Sequence, residues 1–372
     1  MEFLSDYGLF LAKAITIVVC LILLLSIILS FRQREQRSEK GHIEVTKLNE
    51  RYRNMADTLK HAALDQDQLK QEHKAEKKKD KQEKAAKKKA LKAKAPRKIE
   101  TVQAVDSKEE QTDTAEPPNK KRLFVLNFKG DIKAQAADHL REEVSTVLSL
   151  ATDNDEVVVL VETPGGQVHG YGLAASQLSR IKTKKIPLTV CVDKVAASGG
   201  YMMACVADKI LAAPFALLGS IGVMAEMPNF HRLLKKVDID YDVYTAGEFK
   251  RTVTTFGENT EKGKQKFREE LQDVHVLFKD FIHENRPVVD IDTVATGEAW
   301  YGRHALDRKL VDEIMTSDEY ITNQLESADI FEVEFVAKKS LQEKLGLPIQ
   351  NAIENAFLKV IEQLQYSRFF KN

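Results

Sequence analysis

The chain has 372 residues with 56 basic and 56 acidic side chains, so its formal net charge is zero. That balance excludes a global electrostatic pull toward nucleic acid, and the length allows one large or two modest domains plus extensions. Three irregularly spaced cysteines, Cys20, Cys191 and Cys205, exclude a disulfide framework and a zinc knuckle.

Residues 14–31 carry no charge, and extending the run back past Lys13 to Leu9 gives a stretch long enough to cross a hydrocarbon core of about 30 Å as a helix. A cleaved signal peptide competes with this reading. The run is long for such a segment, however, Glu2 and Asp6 make its N-terminal flank acidic, and no A-x-A site follows. Residues 1–40 therefore read as a single-pass membrane anchor, with the transmembrane helix over about 9–31 and the lipid bilayer as a partner. Arg32, Arg34, Arg37 and Lys40 follow the span against Lys13 alone before it, which puts the C-terminal side in the cytoplasm. Residues 41–120 read as a Lys-rich charged tether, partly helical or disordered. Its lysines would each gain about 1 kcal/mol beside anionic lipid heads, and no aromatic residues interleave to stack on nucleic-acid bases.

Residues 121–340 read as the folded domain. Periodicity predicts strands over 123–128, 157–161, 187–192, 209–213 and 241–245. It predicts helices over 136–150, from Tyr171 onward, over 202–207 and over 230–237, and a long amphipathic helix over 261–285 with Phe267, Leu271, Val274, Phe278 and Phe281 on one side. Alternating strands and helices imply an α/β fold with right-handed crossovers and a largely parallel, doubly covered sheet. Residues 341–372 read as a C-terminal amphipathic helix, with Ile353, Phe357, Val360, Ile361 and Leu364 forming a packing or assembly stripe.

Two loops carry the chemistry. Pro164-Gly165-Gly166 leaves the C-terminal end of an apolar strand, where open α/β sheets keep their ligands. Ser198, in Ala196-Ala197-Ser198-Gly199-Gly200-Tyr201, stands between a strand and a helix. It is either a plain helix N-cap or a nucleophile facing free helix N–H groups. A serine hydroxyl needs a base, and His231 and His169 are the histidine candidates for a Ser/His/Asp arrangement. No H-E-x-x-H, paired C-x-x-C or Walker sequence occurs, so neither a metal nor another cofactor is expected.

Ala-Ala-Ser198-Gly-Gly-Tyr, the Gly219-Ser220-Ile221-Gly222-Val223 stretch and a lysine some fifty residues beyond the serine together resemble the signal-peptide-peptidase family of membrane-bound serine proteases. The anchor, the tether and Glu162-Thr163-Pro164-Gly165-Gly166 are similar to its single-domain bacterial branch. The resemblance implies a ClpP/crotonase-like β-β-α spiral and a place in the bacterial inner membrane. It makes Ser198 the nucleophile and Lys250, in Ala-Gly-Glu-Phe-Lys-Arg-Thr, the general base. The oxyanion hole would use the N–H of Gly199 and one from Gly165 or Gly166. It further implies peptide substrates, such as spent signal peptides or misfolded apolar chains, and a homo-oligomer in which nucleophile and base come from neighbouring subunits. One departure is Lys309-Leu310-Val311-Asp312, where the family usually has Gly-Leu-Val-Asp. A lysine base must shed its proton near neutrality, so Lys250 is expected in a water-poor pocket away from carboxylates, and nearby Glu248 would oppose this. The alternatives are a crotonase-type acyl-thioester enzyme, which shares the fold but needs no lysine base, and a non-catalytic membrane scaffold.

Overall fold

Strand runs such as 157–161 are apolar at every position because both faces of their sheet are covered. The computed structural model describes residues 41–65 and 120–338. Ile43–Phe335 form one compact unit. Met1–His42 group with Val336–Asn372 in a second, of which only 41–42 and 336–338 are described. The expected anchor at 9–31, the lysine-rich middle of the tether and the C-terminal helix lie outside the described residues. Among the described residues no helix is long and apolar enough to cross a membrane.

The chain runs β1 (Gly41–Lys47), α1 (Leu48–Ala63), β2 (Lys121–Lys129), α2 (Ala136–Leu148), β3 (Glu156–Glu162) and α3 (Val168–Thr183). It continues through β4 (Leu188–Val192), β5 (Val195–Ala197), α4 (Gly199–Ala204), β6 (Lys209–Ala212), β7 (Leu217–Gly219) and α5 (His231–Lys236). The last third holds α6 (Glu261–Asn285), α7 (Ile291–Val294), β8 (Ala299–Tyr301), α8 (Gly302–Asp307), β9 (Glu313–Ile314), α9 (Ser317–Asn323) and β10 (Ala328–Ala337). Seven strands form one sheet in the order β1-β10-β2-β3-β4-β6-β9, and β5-β7-β8 form a second, smaller one. The pairs from β10 through β2, β3, β4 and β6 to β9 are parallel, whereas β7 meets β8 antiparallel.

Alternate residues of the large sheet face two separate cores, as the two-residue strand period requires. Phe124, Leu126 and Phe128 of β2 and Val157, Val159 and Val161 of β3 point into the larger core, with Leu178 of α3 and Ile282 of α6. Leu123, Val125 and Val158 point the other way, into a smaller core closed by Leu48 of α1 and Ile321 of α9.

That second core starts the compact unit far earlier than residue 121. The first part of the segment read as a tether is a strand and a helix built into the domain. Leu48 is 5% exposed, a burial that stabilises by about 2 kcal/mol. Asn49 fixes α1 by polar bonds, donating its amide to the carbonyls of Leu325 and Ala328, both at 3.0 Å, and accepting the Ile330 N–H at 2.7 Å. The expected strand at 241–245 does not form. All five residues are exposed and none is paired, because no free strand among the described residues lies alongside to complete the ladder. Lys309 has φ of 59°, the left-handed region in which a glycine would sit without steric cost. Its carbonyl accepts from Arg286 at 2.8 Å, and the same guanidinium holds Asp312 at 2.9 and 3.1 Å.

Candidate active site

The site arises where the two sheets touch. Thr163, one residue past β3, bridges in parallel to Ala196 of β5. Its N–H donates to Val195 O at 2.8 Å, and it accepts the Ala197 N–H at 3.1 Å. This link lays the Pro164-Gly165-Gly166 loop over the turn that follows β5. Gly165 has φ of 89°, and a Cβ there would stand 2.7 Å from Ala197 O, 2.7 Å from Gly199 N and 2.8 Å from Ser198 Cβ. Two loops far apart in sequence are thereby packed backbone to backbone.

Ser198 occupies φ 51°, ψ −116°, a conformation that costs a non-glycine residue about 1–3 kcal/mol and persists where the surroundings enforce it. Its N–H donates to Gly219 O at 2.8 Å and its carbonyl accepts the Met202 N–H at 3.0 Å. Ser198 stands at the N-cap position of α4, as expected of the residue before a helix, but its side chain makes no capping bond. The hydroxyl is without a hydrogen-bond partner among the described residues. Gly199 opens α4, so its N–H has no acceptor within the helix.

The glycine loop is tied on both sides of one residue. The Gly165 N–H donates to Thr163 Oγ1 at 3.1 Å and the Gln167 N–H to Ile132 O at 2.8 Å. Between them Gly166 is exposed, and its N–H has no acceptor among the described residues. Thr163 and Tyr171, which sequence reasoning passed over, adjoin this loop fully buried. Their two hydroxyls are in short hydrogen-bond contact. Burial raises the Tyr171 phenol above its ordinary value, and the Thr163 bond partly offsets this. The sequence signal was slight, a threonine before Pro-Gly-Gly and a tyrosine one helical turn into α3.

Lys250 lies in the segment between β7 and α6, within which residues 224–251 are all exposed or half-buried. Its side chain is exposed and its backbone N–H donates to Gly247 O at 3.2 Å. Among the described residues no water-poor pocket forms around it and no hydrogen bond joins it to Ser198. Glu248 is engaged elsewhere, by Lys262 Nζ at 2.5 Å. The same segment exposes Tyr244 by 90% and Met224 by 81%, with Phe230, Leu233, Ile239 and Phe256. His231 opens α5 in this segment, its N–H donating to Asn229 Oδ1 at 3.3 Å, and His169 is exposed in the first turn of α3. Neither imidazole is hydrogen-bonded to Ser198 among the described residues, and no cluster there could hold a metal ion.

Two family descriptions match the chain in succession: "Peptidase family S49 N-terminal" over residues 2–178 and "Peptidase family S49" over residues 180–330. The chain belongs to peptidase family S49. It is 48% identical over 354 residues to the probable protease SohB of Haemophilus influenzae, a match covering 95% of each protein. It is 42% identical over 369 residues to the probable protease SohB of Buchnera aphidicola subsp. Schizaphis graminum, covering 99% of each. This S49 member is thus a SohB-like protease. A solved membrane-bound stomatin-specific protease with a substrate peptide aligns at a TM-score of 0.37 and 14% identity, over 62% of this chain and 99% of that one.

Proposed function

We propose that this S49 protease is a membrane-anchored serine endopeptidase of the bacterial inner membrane that uses a Ser198/Lys250 dyad. The observation that carries the reading is the strained turn at Ser198, φ 51°, with its hydroxyl free of any capping bond and the Pro164-Gly165-Gly166 loop packed against it. Ser198 Oγ attacks the scissile carbonyl while the neutral Lys250 amine takes its proton. The resulting ammonium protonates the leaving amine, and water then hydrolyses the acyl-enzyme by the same proton route. The Gly199 N–H and the Gly166 N–H hold the oxyanion, each such donor contributing about 3–4 kcal/mol. Gly166 is favoured over Gly165 because the Gly165 N–H is already bonded to Thr163.

Substrate binds extended alongside the two glycine loops, which suits signal-peptide-like or misfolded apolar polypeptides. The exposed apolar segment that carries Lys250 supports assembly, with a neighbouring copy covering it and supplying the dry surroundings a lysine base requires. Nucleophile and base then come from different subunits of a homo-oligomer. The full chain in detergent, tested on an unfolded apolar-rich protein, decides this. Ser198→Ala should abolish cleavage, and Lys250→Ala should lower it by about 10²–10⁴-fold. Co-assembling the two variants should restore part of the activity. Cleavage by Ser198→Ala would sink the serine mechanism, and co-assembled variants that stay inactive would sink the shared site.

A further inference from the structure

We infer that the Thr163 and Tyr171 side chains form a positioning relay that sets the distance between the two oxyanion donors. The inference rests on the serine-peptidase reading and names residues that act through its backbone N–H groups without touching substrate.

The donors and acceptors order themselves. The Tyr171 hydroxyl has one proton, which it donates to Asp131 O at 2.7 Å. Its contact with Thr163 must then have Thr163 as the donor. Thr163 Oγ1 in turn accepts the Gly165 N–H at 3.1 Å. The result is a single directed chain from Gly165 N–H through Thr163 and Tyr171 to the Asp131 carbonyl, in which every buried hydroxyl both donates and accepts. Thr163 and Tyr171 are each 0% exposed, where a broken link cannot be repaired by bulk water.

The same tyrosine reaches the other donor. A Cβ on Gly199 would stand 2.3 Å from Tyr171 Cγ, so the tyrosine side chain packs closely against the backbone that carries the Gly199 N–H. Phe128 braces the ring from another side, edge-on with centroids 6.3 Å apart. Tyr171 therefore supports one oxyanion donor with its ring. With its hydroxyl, through Thr163, it holds the loop that presents the other. Thr163 is itself tied to β5 by two backbone bonds, which leaves the relay little freedom to shift as a body.

The test uses the full chain in detergent with a peptide substrate and a peptide boronate as transition-state analogue. Tyr171→Phe keeps the ring and removes the hydroxyl, while Thr163→Val removes the acceptor of the Gly165 N–H. Misplacing one oxyanion donor lowers kcat by up to about 10²–10³-fold. We therefore expect about a 10-fold loss for Tyr171→Phe and about 100-fold for Thr163→Val, with KM within about twofold of wild type. Boronate affinity should fall in step with kcat, and Thr163→Ser should restore activity to within about threefold, which a purely structural role would not produce. Wild-type kcat in both Tyr171→Phe and Thr163→Val, beside an inactive Ser198→Ala, overturns the relay alone. Equal losses in Thr163→Ser and Thr163→Val also overturn it. Cleavage by Ser198→Ala overturns the underlying serine reading instead.

Discussion

Gly165→Ala isolates the packing of the two glycine loops. An alanine at φ 89° pays about 1–2 kcal/mol for the left-handed backbone. Its Cβ would also lie 2.7 Å from Ala197 O and Gly199 N and 2.8 Å from Ser198 Cβ. Forcing extra volume into such a contact costs about 1–3 kcal/mol, so the sum is about 2–5 kcal/mol, against backbone that cannot swing aside as a long side chain would. At roughly 2–4 °C per kcal/mol for a domain of this size, the melting temperature should fall by about 10 °C. Because the displaced atoms belong to the Ser198 turn, kcat should fall further than stability explains, by about 10²-fold. The control is Gly172→Ala, seven residues on in α3, where an added Cβ meets nothing within 4 Å. It should raise stability by about 0.5–1 kcal/mol and leave kcat alone. Melting curves and initial cleavage rates on the three proteins provide the comparison. A Gly165→Ala variant that melts and cleaves like wild type would refute the account of how the site is held.

Two further outcomes follow from the packing. Burial raises the Glu143 carboxyl from an ordinary 4.5 to about 7, with the Phe335 N–H and His139 acting against the rise. The native state therefore binds this proton more tightly than the unfolded chain. The resulting stabilisation is complete below about pH 4.5 and is lost as pH climbs through about 7, at most about 3 kcal/mol. Glu143→Gln should accordingly gain on wild type in denaturant midpoint between pH 5 and pH 8, and parallel midpoints over that range would contradict it. Lys309→Gly relieves the left-handed backbone at φ 59° while keeping the carbonyl that Arg286 uses. It should stabilise by about 1 kcal/mol, and a lowered melting temperature would show that the lysine side chain matters more than the strain.

The large sheet was legible because its strands are buried on both faces, so that 157–161 reads as an unbroken apolar run and 188–192 is broken only by Thr189. The helix at 261–285 was legible from its stripe. Where the chain is held by polar bonds the reading failed. α1 carries Leu48, Tyr52, Met55 and Leu59 at helical spacing but buries only Leu48, and its attachment is completed by the Asn49 amide, which no hydrophobic period reports. The pattern at 241–245 has the alternation of a strand, but alternation reports a face to be covered and not whether this chain supplies the cover. In the site, Ser198 and the glycines stood out because few residue types tolerate such turns. Thr163 and Tyr171 did not, since a buried hydroxyl pair is defined only once β3, α3 and the loop after β2 are brought together.

The smaller core has a consequence for how the polypeptide is divided. One of its walls is α1 and the opposite wall begins with β2, yet residues 64–120 separate them in sequence. Lengthening that connection twofold would cost only about 0.6 kcal/mol of closure entropy, so its length is nearly free to drift. Cutting it is another matter. A nick there would turn an intramolecular contact into a bimolecular one, and a fragment starting at residue 120 would bare Leu123, Val125 and Ile330 to water. A fragment that keeps both walls of this core begins ahead of Leu48, N-terminal to the stretch that looks most like a linker.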